Sequence, residues 1–512
     1  MLNSKSMPLP LKQLLQTLPG YRLSGPGNPL VSGIVYDSRQ AVEPGHLFVA
    51  FKGFTVDRHQ FIPDVVRKGA TTVVVEGETQ VGVPESVTVV RVPNGREALA
   101  HISAAWYGYP GCKMKVIGVT GTDGKTSTIN LIYHILNQTG RKVGMVSTVN
   151  ALIGRQALDT GFHVTTPEAP DVQRYMAMMV EAGMEICLLE STSHGLDQHR
   201  VTACDFDIAV VTNITHEHLN HHHNSLQAYR LAKARLFDEL AQQAAILNAD
   251  DWSFDFLRER IKGRIPTISY GLADSADVQA RKISLGPDAT RFEVLLAGQG
   301  QEVESPLVGA FNISNVLAAL ATTVSGLEVE PEAAVRALSS FTAVPGRMER
   351  IDMGQPFTAI VDFAHAPEAL RRALETARAL TAGRVIAVFG CAGQRDVQKR
   401  TLMGHIAADL ADITILTAED PRTEDLADII DASARAMLER GAVEGTTFHR
   451  IPDRGRAIYF ATRLARPGDI VIALGKGHEQ SMCFGEVEYP WDDREAMRAA
   501  LRGEPLLTLP TA

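Results

Sequence analysis

The stretch "VIGVTGTDGKTST", residues 116 to 128, narrows most sharply what this chain can fold into. An apolar run leads into Gly121, Thr122, Asp123, Gly124, Lys125, Thr126 and Ser127, and apolar residues then recur at helical spacing through Leu131, Ile132, Ile135 and Leu136. That pattern predicts a strand, a glycine turn and a helix. Glycines let successive N–H groups face one point, the helix start adds its positive end, and Lys125 adds a full charge, so a polyphosphate fits there. Thr126 puts a hydroxyl where a phosphate-bound Mg²⁺ takes a ligand. The spacing, G-T-x-G-K-T, is shorter than the usual G-x-x-x-x-G-K-[ST], which would put a glycine at Val119. A glycine turn that binds nothing is the bland alternative.

A strand and helix of this kind belong to βαβ units, and the alternation continues along the chain. With 512 residues and about 150 per domain, three domains are expected, all α/β. Residues 1–110 hold short β-like runs ("SGIVYDS", "HLFVAF", "TTVVVEG") and end at "WYGYPGCKMK". Residues 111–345 form a mainly parallel sheet domain around the phosphate loop, and residues 346–512 a Rossmann-like domain with "AIVDFAH", "RVIAVFGCAG", "ITILTAEDPR" and "IVIALGKGHE". Ligands in open α/β sheets sit beyond the carboxyl ends of the strands. After each apolar run come polar or charged residues: "ESTSH", "NITHEH", Asp362, Arg395, Arg422 and "KGHE".

Bulk properties exclude several classes. Net charge is −9, which argues against a nucleic-acid surface. No apolar run approaches the ~18 residues of a membrane span, and the N-terminus lacks the pattern of a secretory signal. Five scattered cysteines without a C-x-x-C pair suit reduced thiols, so a cytoplasmic location is expected.

Glu190 follows a buried-strand pattern and His218 lies in "NITHEHLN" after another. A carboxylate and an imidazole near the phosphate loop would hold a second divalent cation; a helix-capping Glu and a satisfied His are the alternative. The segment with His216, His218, His221, His222 and His223 raises zinc, but no cysteine is near and the spacing fits no closed tetrahedral site. On periodicity, Lys233 and Arg235 are helix-surface cations.

"GTDGKTST", "TTPEAPDVQ", "LLESTSHGLDQHRV", "TNITHEHLNHHHNSLQAYRLAKARLF", "GAFNISNVLAAL", "VPGRMERI", "DFAHAPEAL", "FGCAGQRDVQKRTLMG" and "LGKGHEQ" occur in the order seen in the Mur ligase family. With "YDSRQAVEPGHLFVAFKG" the resemblance covers nearly the whole chain, and it is closest to the members that form the muramyl tripeptide. It implies an ATP-dependent amide ligase: the γ-phosphate of ATP passes to a carboxylate, an amine attacks the acyl phosphate, and an amide and phosphate result. The substrates implied are UDP-N-acetylmuramoyl-L-alanyl-D-glutamate and a diamino acid, with two Mg²⁺ ions and a monomeric enzyme. The resemblance makes Lys125, Glu190, His218 and Lys233 catalytic, with Lys233 carrying CO₂ as a carbamate and, with Thr126, Glu190 and His218, ligating metal. Asn312 and Arg347 would contact adenine and phosphates, and Asp362 the ribose. Ser38 and the "FKGF" loop would grip uridine, while Thr165, Thr166, Thr192, Gln198 and Arg200 would hold the muramyl nucleotide. Serine is usual at Thr192 and asparagine at Val164. Helix capping by Asn312 and a simple turn at Thr165 and Thr166 are the alternatives.

For the amine, the resemblance points to "TAEDPRTED", residues 417 to 425. Members that add meso-diaminopimelate typically show D-N-P-R, whose arginine clamps the distal carboxylate; Arg422 follows Pro421 here and a guanidinium suits that task. Glu419 and Asp420 stand in place of Asp and Asn, and an added negative charge would favour the bare ammonium of lysine or ornithine. Arg395, Gly475 and Glu479 would hold the backbone end of the amino acid. A plain acidic helix start explains the charges but not the arginine. Two other functions compete: a ligase of this fold that adds glutamate to folate, which would lack the first segment, and a nucleotide switch, which would need an N-K-x-D motif that is absent.

Overall fold

The computed structural model describes all residues except 1–6, 54–55, 80–81, 159–164, 216–221, 223–224, 287–288, 297, 308 and 512. It forms two compact units, one of residues 1–281, 293–302 and 313–338, the other of residues 282–292, 303–312 and 339–512.

The first unit contains two sheets. The N-terminal one has the order Arg22–Ser24, Thr88–Val92, Thr72–Glu76, His46–Val49, Gly33–Val35, all parallel except the Arg22–Ser24 edge. Its strands are buried on both faces, and the period of two sorts their residues. Leu47, Val49 and Val74 pack with Leu11, Leu14, Leu99 and Ile102, while Phe48, Val73 and Val75 pack with Ile62 and Val65. The helix Gly95–Trp106 covers the first of these faces, and Asn94 caps it by accepting from the N–H groups of Arg96 and Glu97.

The second sheet runs Gln156–Leu158, Ala151–Ile153, Val143–Val146, Ile186–Glu190, Lys115–Thr120, Ile208–Val211, Ala244–Asn248, Thr267–Gly271 and on to Val278. From Val143–Val146 onward the pairs are parallel. The predicted strand, turn and helix are present: Lys115–Thr120 leads through the loop into the helix Lys125–Gln138. Because Lys115–Thr120 lies between Ile186–Glu190 and Ile208–Val211, the loops after these three strands open at one sheet edge. This adjacency brings together residues some 70 to 90 positions apart in sequence.

In the second unit the order is Glu349–Ile351, Thr358–Asp362, Ile470–Leu474, Val385–Phe389, Ile413–Leu416, Phe448–Arg450, parallel apart from the first strand. Every residue of Ile470–Leu474 is buried, each large apolar side chain contributing about 1.5–3 kcal/mol. The carboxyl ends of these strands deliver Asp362, Gly475 and the segment 417–422.

Candidate active site

At the phosphate loop, Gly121 has φ +148° and a Cβ there would lie 1.8 Å from Thr212 Oγ1. Only glycine fits so close an approach. The loop is held by its neighbour strand: Thr122 N–H donates to Asn213 O at 2.8 Å, and Asp123 N–H to Asn213 Oδ1 at 3.0 Å. Lys125 Nζ donates to the carbonyls of Gly121 at 3.1 Å and Thr122 at 2.8 Å. Ser127 is half-buried in the first turn of the helix.

Thr126 Oγ1 donates to Glu190 Oε1 at 3.0 Å, and Thr148 N–H to Glu190 Oε2 at 2.9 Å. Glu190 therefore does not cap a helix; it is a buried carboxylate joined to the loop's hydroxyl. Lys233 overturns the surface-cation expectation. It is 1% exposed, its Nζ donates to Gly121 O at 2.6 Å, and it lies 4.6 Å from the centroid of the Tyr229 ring. Arg235 is partly buried as well, donating to Leu196 O at 2.7 Å. The helix Leu226–Arg235 packs against the short helix Ser193–Asp197, so residues that periodicity assigned to solvent face protein instead. Tyr229, missed in the sequence, fixes the same loop through a 2.9 Å hydrogen bond between its hydroxyl and Thr122 Oγ1.

His218 lies outside the described residues, as do His216, His221 and His223. His222 is buried and shares a 3.1 Å hydrogen bond with Ser193 Oγ. Among the described residues no group of three His, Cys, Asp or Glu side chains is placed to hold a metal. The helix Ala310–Leu320 contains Asn312 in its first turn, not as its cap. One turn further, Asn315 meets the helix that follows the loop: Thr128 Oγ1 donates to Asn315 Oδ1 at 3.4 Å.

Four of the five residues expected on the muramyl nucleotide converge. Thr166 Oγ1 donates to Glu190 O at 2.9 Å and lies 3.0 Å from Thr192 Oγ1, so Thr166 is more than a turn residue. Arg200 donates to Thr166 O at 2.7 Å, to Gln198 Oε1 at 2.8 Å and to Glu168 at 3.1 Å. Thr165 precedes this cluster and is half-buried. Ser38 sits in the bend after Gly33–Val35, where Arg39 holds the carboxyl of Asp37 down to about 2. In the "FKGF" loop, Phe51 is fully buried beneath the guanidiniums of Arg58 and Arg96, each 4.4 Å from its ring centroid.

In the second unit, Asp362 accepts from the N–H groups of Met348 at 2.7 Å and Ala364 at 2.8 Å, and burial still raises its pKa. Arg347 stacks 4.5 Å from the Phe363 centroid, and its Nε has no hydrogen-bond partner among the described residues. Arg395 is exposed in the loop after Val385–Phe389.

The segment 417–425 is more than a helix start: the helix begins only at Leu426, and of the segment's acids Asp425 alone caps it. Asp420 and Arg422 adopt left-handed conformations, φ +41° and +56°. Asp420 Oδ1 accepts from Lys476 Nζ at 3.0 Å and Cys483 N–H at 2.9 Å, while Lys476 also pairs with Glu479 at 2.6 Å. Glu419 is 4% exposed, and burial pushes its carboxyl up to about 7 against the pull of Lys399, Arg454 and Lys476. These two acids are therefore not the free negative charge expected to select a bare ammonium: Asp420 is paired with Lys476, which it shares with Glu479, and Glu419 holds its proton up to about neutrality. Buried Arg422 Nε has no hydrogen-bond partner among the described residues. Gly475 passes against Glu419, whose Oε2 would be 2.5 Å from a Cβ.

Three family profiles match along the chain: "Mur ligase family, catalytic domain" at residues 30–107, "Mur ligase middle domain" at 119–323, and "Mur ligase, glutamate ligase domain" at 346–477. A UDP-N-acetylmuramyl-tripeptide synthetase of Roseiflexus sp. (strain RS-1) is 44% identical over 93% of this chain and 95% of its own length. A UDP-N-acetylmuramoyl-L-alanyl-D-glutamate–2,6-diaminopimelate ligase of Geobacillus kaustophilus (strain HTA426) is 40% identical over 96% and 99%. A solved structure of a ligase bearing that second name superposes with a TM-score of 0.68 at 30% identity, covering 97% of this chain and 99% of its own. With a strand, glycine loop and helix at the centre of one parallel sheet and relatives matched from end to end, the chain belongs to the Mur ligase family of ATP-dependent, peptide-bond-forming ligases.

Proposed function

We propose that the chain joins meso-diaminopimelate to UDP-N-acetylmuramoyl-L-alanyl-D-glutamate in peptidoglycan precursor synthesis, using ATP. The observation that carries this reading is Arg422, held in a left-handed turn with a buried, unpartnered Nε, two residues after an Asp420 that is paired with Lys476. That environment suits a distal carboxylate better than a bare ammonium. The end-to-end likeness to relatives named for diaminopimelate supports it. The matched first segment, residues 30–107, disfavours a folate substrate.

In the reaction the γ-phosphate passes to the substrate carboxylate, the amine attacks the acyl carbon, and phosphate leaves as the amide forms. The phosphate loop and Lys125 bind the β- and γ-phosphates and neutralise charge at the transferring group. Asn312 and Arg347 are assigned to adenine and phosphates and Asp362 to ribose. Ser38, Thr165, Thr166, Thr192, Gln198 and Arg200 take the UDP-muramyl dipeptide, and Arg395, Glu419, Asp420, Pro421, Arg422, Gly475 and Glu479 the diamino acid.

Mg²⁺ fits the donors present: Thr126 and Glu190 offer hard oxygens in hydrogen-bond contact. When bound, the metal supplies charge neutralisation at the phosphoryl group. We assign two ions, the second held by Glu190, His218 and Lys233. An ammonium repels Mg²⁺, so Lys233 fits that role as a carbamate; its depth beside the loop supports this, because an ordinary surface role does not account for a buried lysine there.

The uridine-binding, ATP-binding and amino-acid-binding domains are assigned to residues 1–110, 111–345 and 346–512. We further infer a cytoplasmic monomer whose product feeds cell-wall biogenesis, and so cell shape and division. Five free cysteines support the compartment, and no helix among the described residues is long and apolar enough to cross a membrane. Phosphate release from ATP with Mg²⁺ and the UDP-muramyl dipeptide, offered meso-diaminopimelate, L-lysine and L-ornithine separately, tests the reading. Release with diaminopimelate alone is expected, whereas release with lysine or ornithine alone would overturn the choice of amine.

A further inference from the structure

Gln198 and Arg200 are joined by a third polar side chain that no motif marks. Arg96, in the first turn of the helix Gly95–Trp106, donates from Nη1 to Gln198 Oε1 at 3.0 Å across 102 residues of sequence. The same amide oxygen accepts from Arg200 Nε at 3.1 Å and Nη2 at 2.8 Å. Glu168 is shared too, with Oε1 3.1 Å from Arg200 and Oε2 3.8 Å from Arg96. Two guanidiniums thus straddle one amide oxygen and one carboxylate, and little of any of the three charged side chains is exposed. The Phe51 ring lies 4.4 Å from the Arg96 guanidinium. A second link lies beside it: Asn94 Nδ2 is 3.1 Å from His199 Nε2, and burial, then Arg235 and Arg96, lower the pKa of that imidazole to about 4.

Arg58, Arg96 and Arg200 gather near Glu168 and Glu76, and Glu76 also accepts from the Gly95 N–H at 2.9 Å. Guanidiniums gathered in a partly desolvated cluster suit an anion. A nucleotide-linked sugar carries such charge in its diphosphate.

We propose that Arg96 is a positioning residue for the anionic nucleotide-sugar substrate: by fixing Gln198 and Glu168 it sets the orientation of the Arg200 fork, so that a residue of the first segment braces side chains of the central one. This rests on the substrate named under the proposed function. A guanidinium reaches both Gln198 and Glu168 from one stem, and an ammonium reaches one at a time.

Binding of UDP-N-acetylmuramoyl-L-alanyl-D-glutamate and, separately, of ADP with Mg²⁺ is to be measured by titration calorimetry on the full chain, for the wild type, Arg96→Gln and Arg96→Lys. The expected result for Arg96→Gln is a Kd for the muramyl nucleotide raised about tenfold, as for loss of a charged hydrogen bond, with the ADP affinity within about twofold. Arg96→Lys should recover only part of the loss. In steady-state assays the KM for the muramyl nucleotide should rise while kcat stays within about twofold. An unchanged Kd in Arg96→Gln overturns the inference, as does an equal loss of both ligands with a lowered melting temperature in both variants, which marks a merely structural residue. Failure of the wild type to bind the muramyl nucleotide overturns the proposed function itself, a distinct outcome.

Discussion

The phosphate loop and the turn at 419–422 both bend the chain beyond a strand's carboxyl end, yet they use opposite chemistry. The loop turns through Gly121 and Gly124, at φ +148° and +79°, where a Cβ would collide with Thr212 Oγ1 and Asn315 Oδ1. The turn in the second unit places Asp420 and Arg422 at φ +41° and +56°, conformations that cost a non-glycine residue of order 1 kcal/mol each. It must aim side chains, so glycine would not serve. The strain is offset by what the side chain of Asp420 gains, a fully buried lysine at 3.0 Å and a backbone N–H at 2.9 Å. A site that binds through N–H groups is written in glycine, whereas a site that binds through a guanidinium needs an external brace.

The largest effect that would break this contrast is expected at Gly121. A methyl group there meets Thr212 Oγ1 at 1.8 Å, so Gly121→Ala should cut phosphate release by a factor of about 10³ with little change in diamino-acid affinity. Activity near the wild-type level would mean the loop tolerates a side chain. Next is Lys233→Arg, which keeps a cation at the Gly121 carbonyl but cannot form a carbamate. Its turnover should fall by about 10²–10³ while its circular dichroism matches the wild type, and near-normal turnover would remove Lys233 from metal binding.

In the second unit the test is one of pH. The folded-state pKa of Glu419 lies near 7, above its unfolded value, so stability linked to this group is fully present below about pH 4 and lost as pH rises through 7. Glu419→Gln has no such proton to lose. Its melting temperature relative to wild type should climb between about pH 5 and 7 and then level off, a difference on the order of 3 kcal/mol; a pH-independent difference would show that the carboxyl ionises freely. The smallest effect is expected for Arg422→Lys, which keeps the charge and loses the planar fork. The KM for diaminopimelate should rise about tenfold while those for ATP and the muramyl nucleotide stay put, and equal changes in all three would deny Arg422 a role in choosing the amine.

The strand, glycine turn and helix at 115–138 are legible in the residues alone, because hydrophobic period and φ requirements are local and survive without any partner. So are the alternation that makes parallel sheets and the end-to-end motif order. Which acids at 419 and 420 carry free charge was decided only by the tertiary structure, since Lys476 is 56 residues from Asp420 and desolvation depends on everything packed around Glu419. Lys233 was misread for the same reason. Its helix shows no apolar stripe at that face, and only the packing of that helix against Ser193–Asp197 and the loop turns a polar face inward. Arg96 carried no signal at all in the sequence, because its partners lie about 70 to 100 residues away and an arginine in the first turn of a helix looks like any other until helix packing sets those segments side by side.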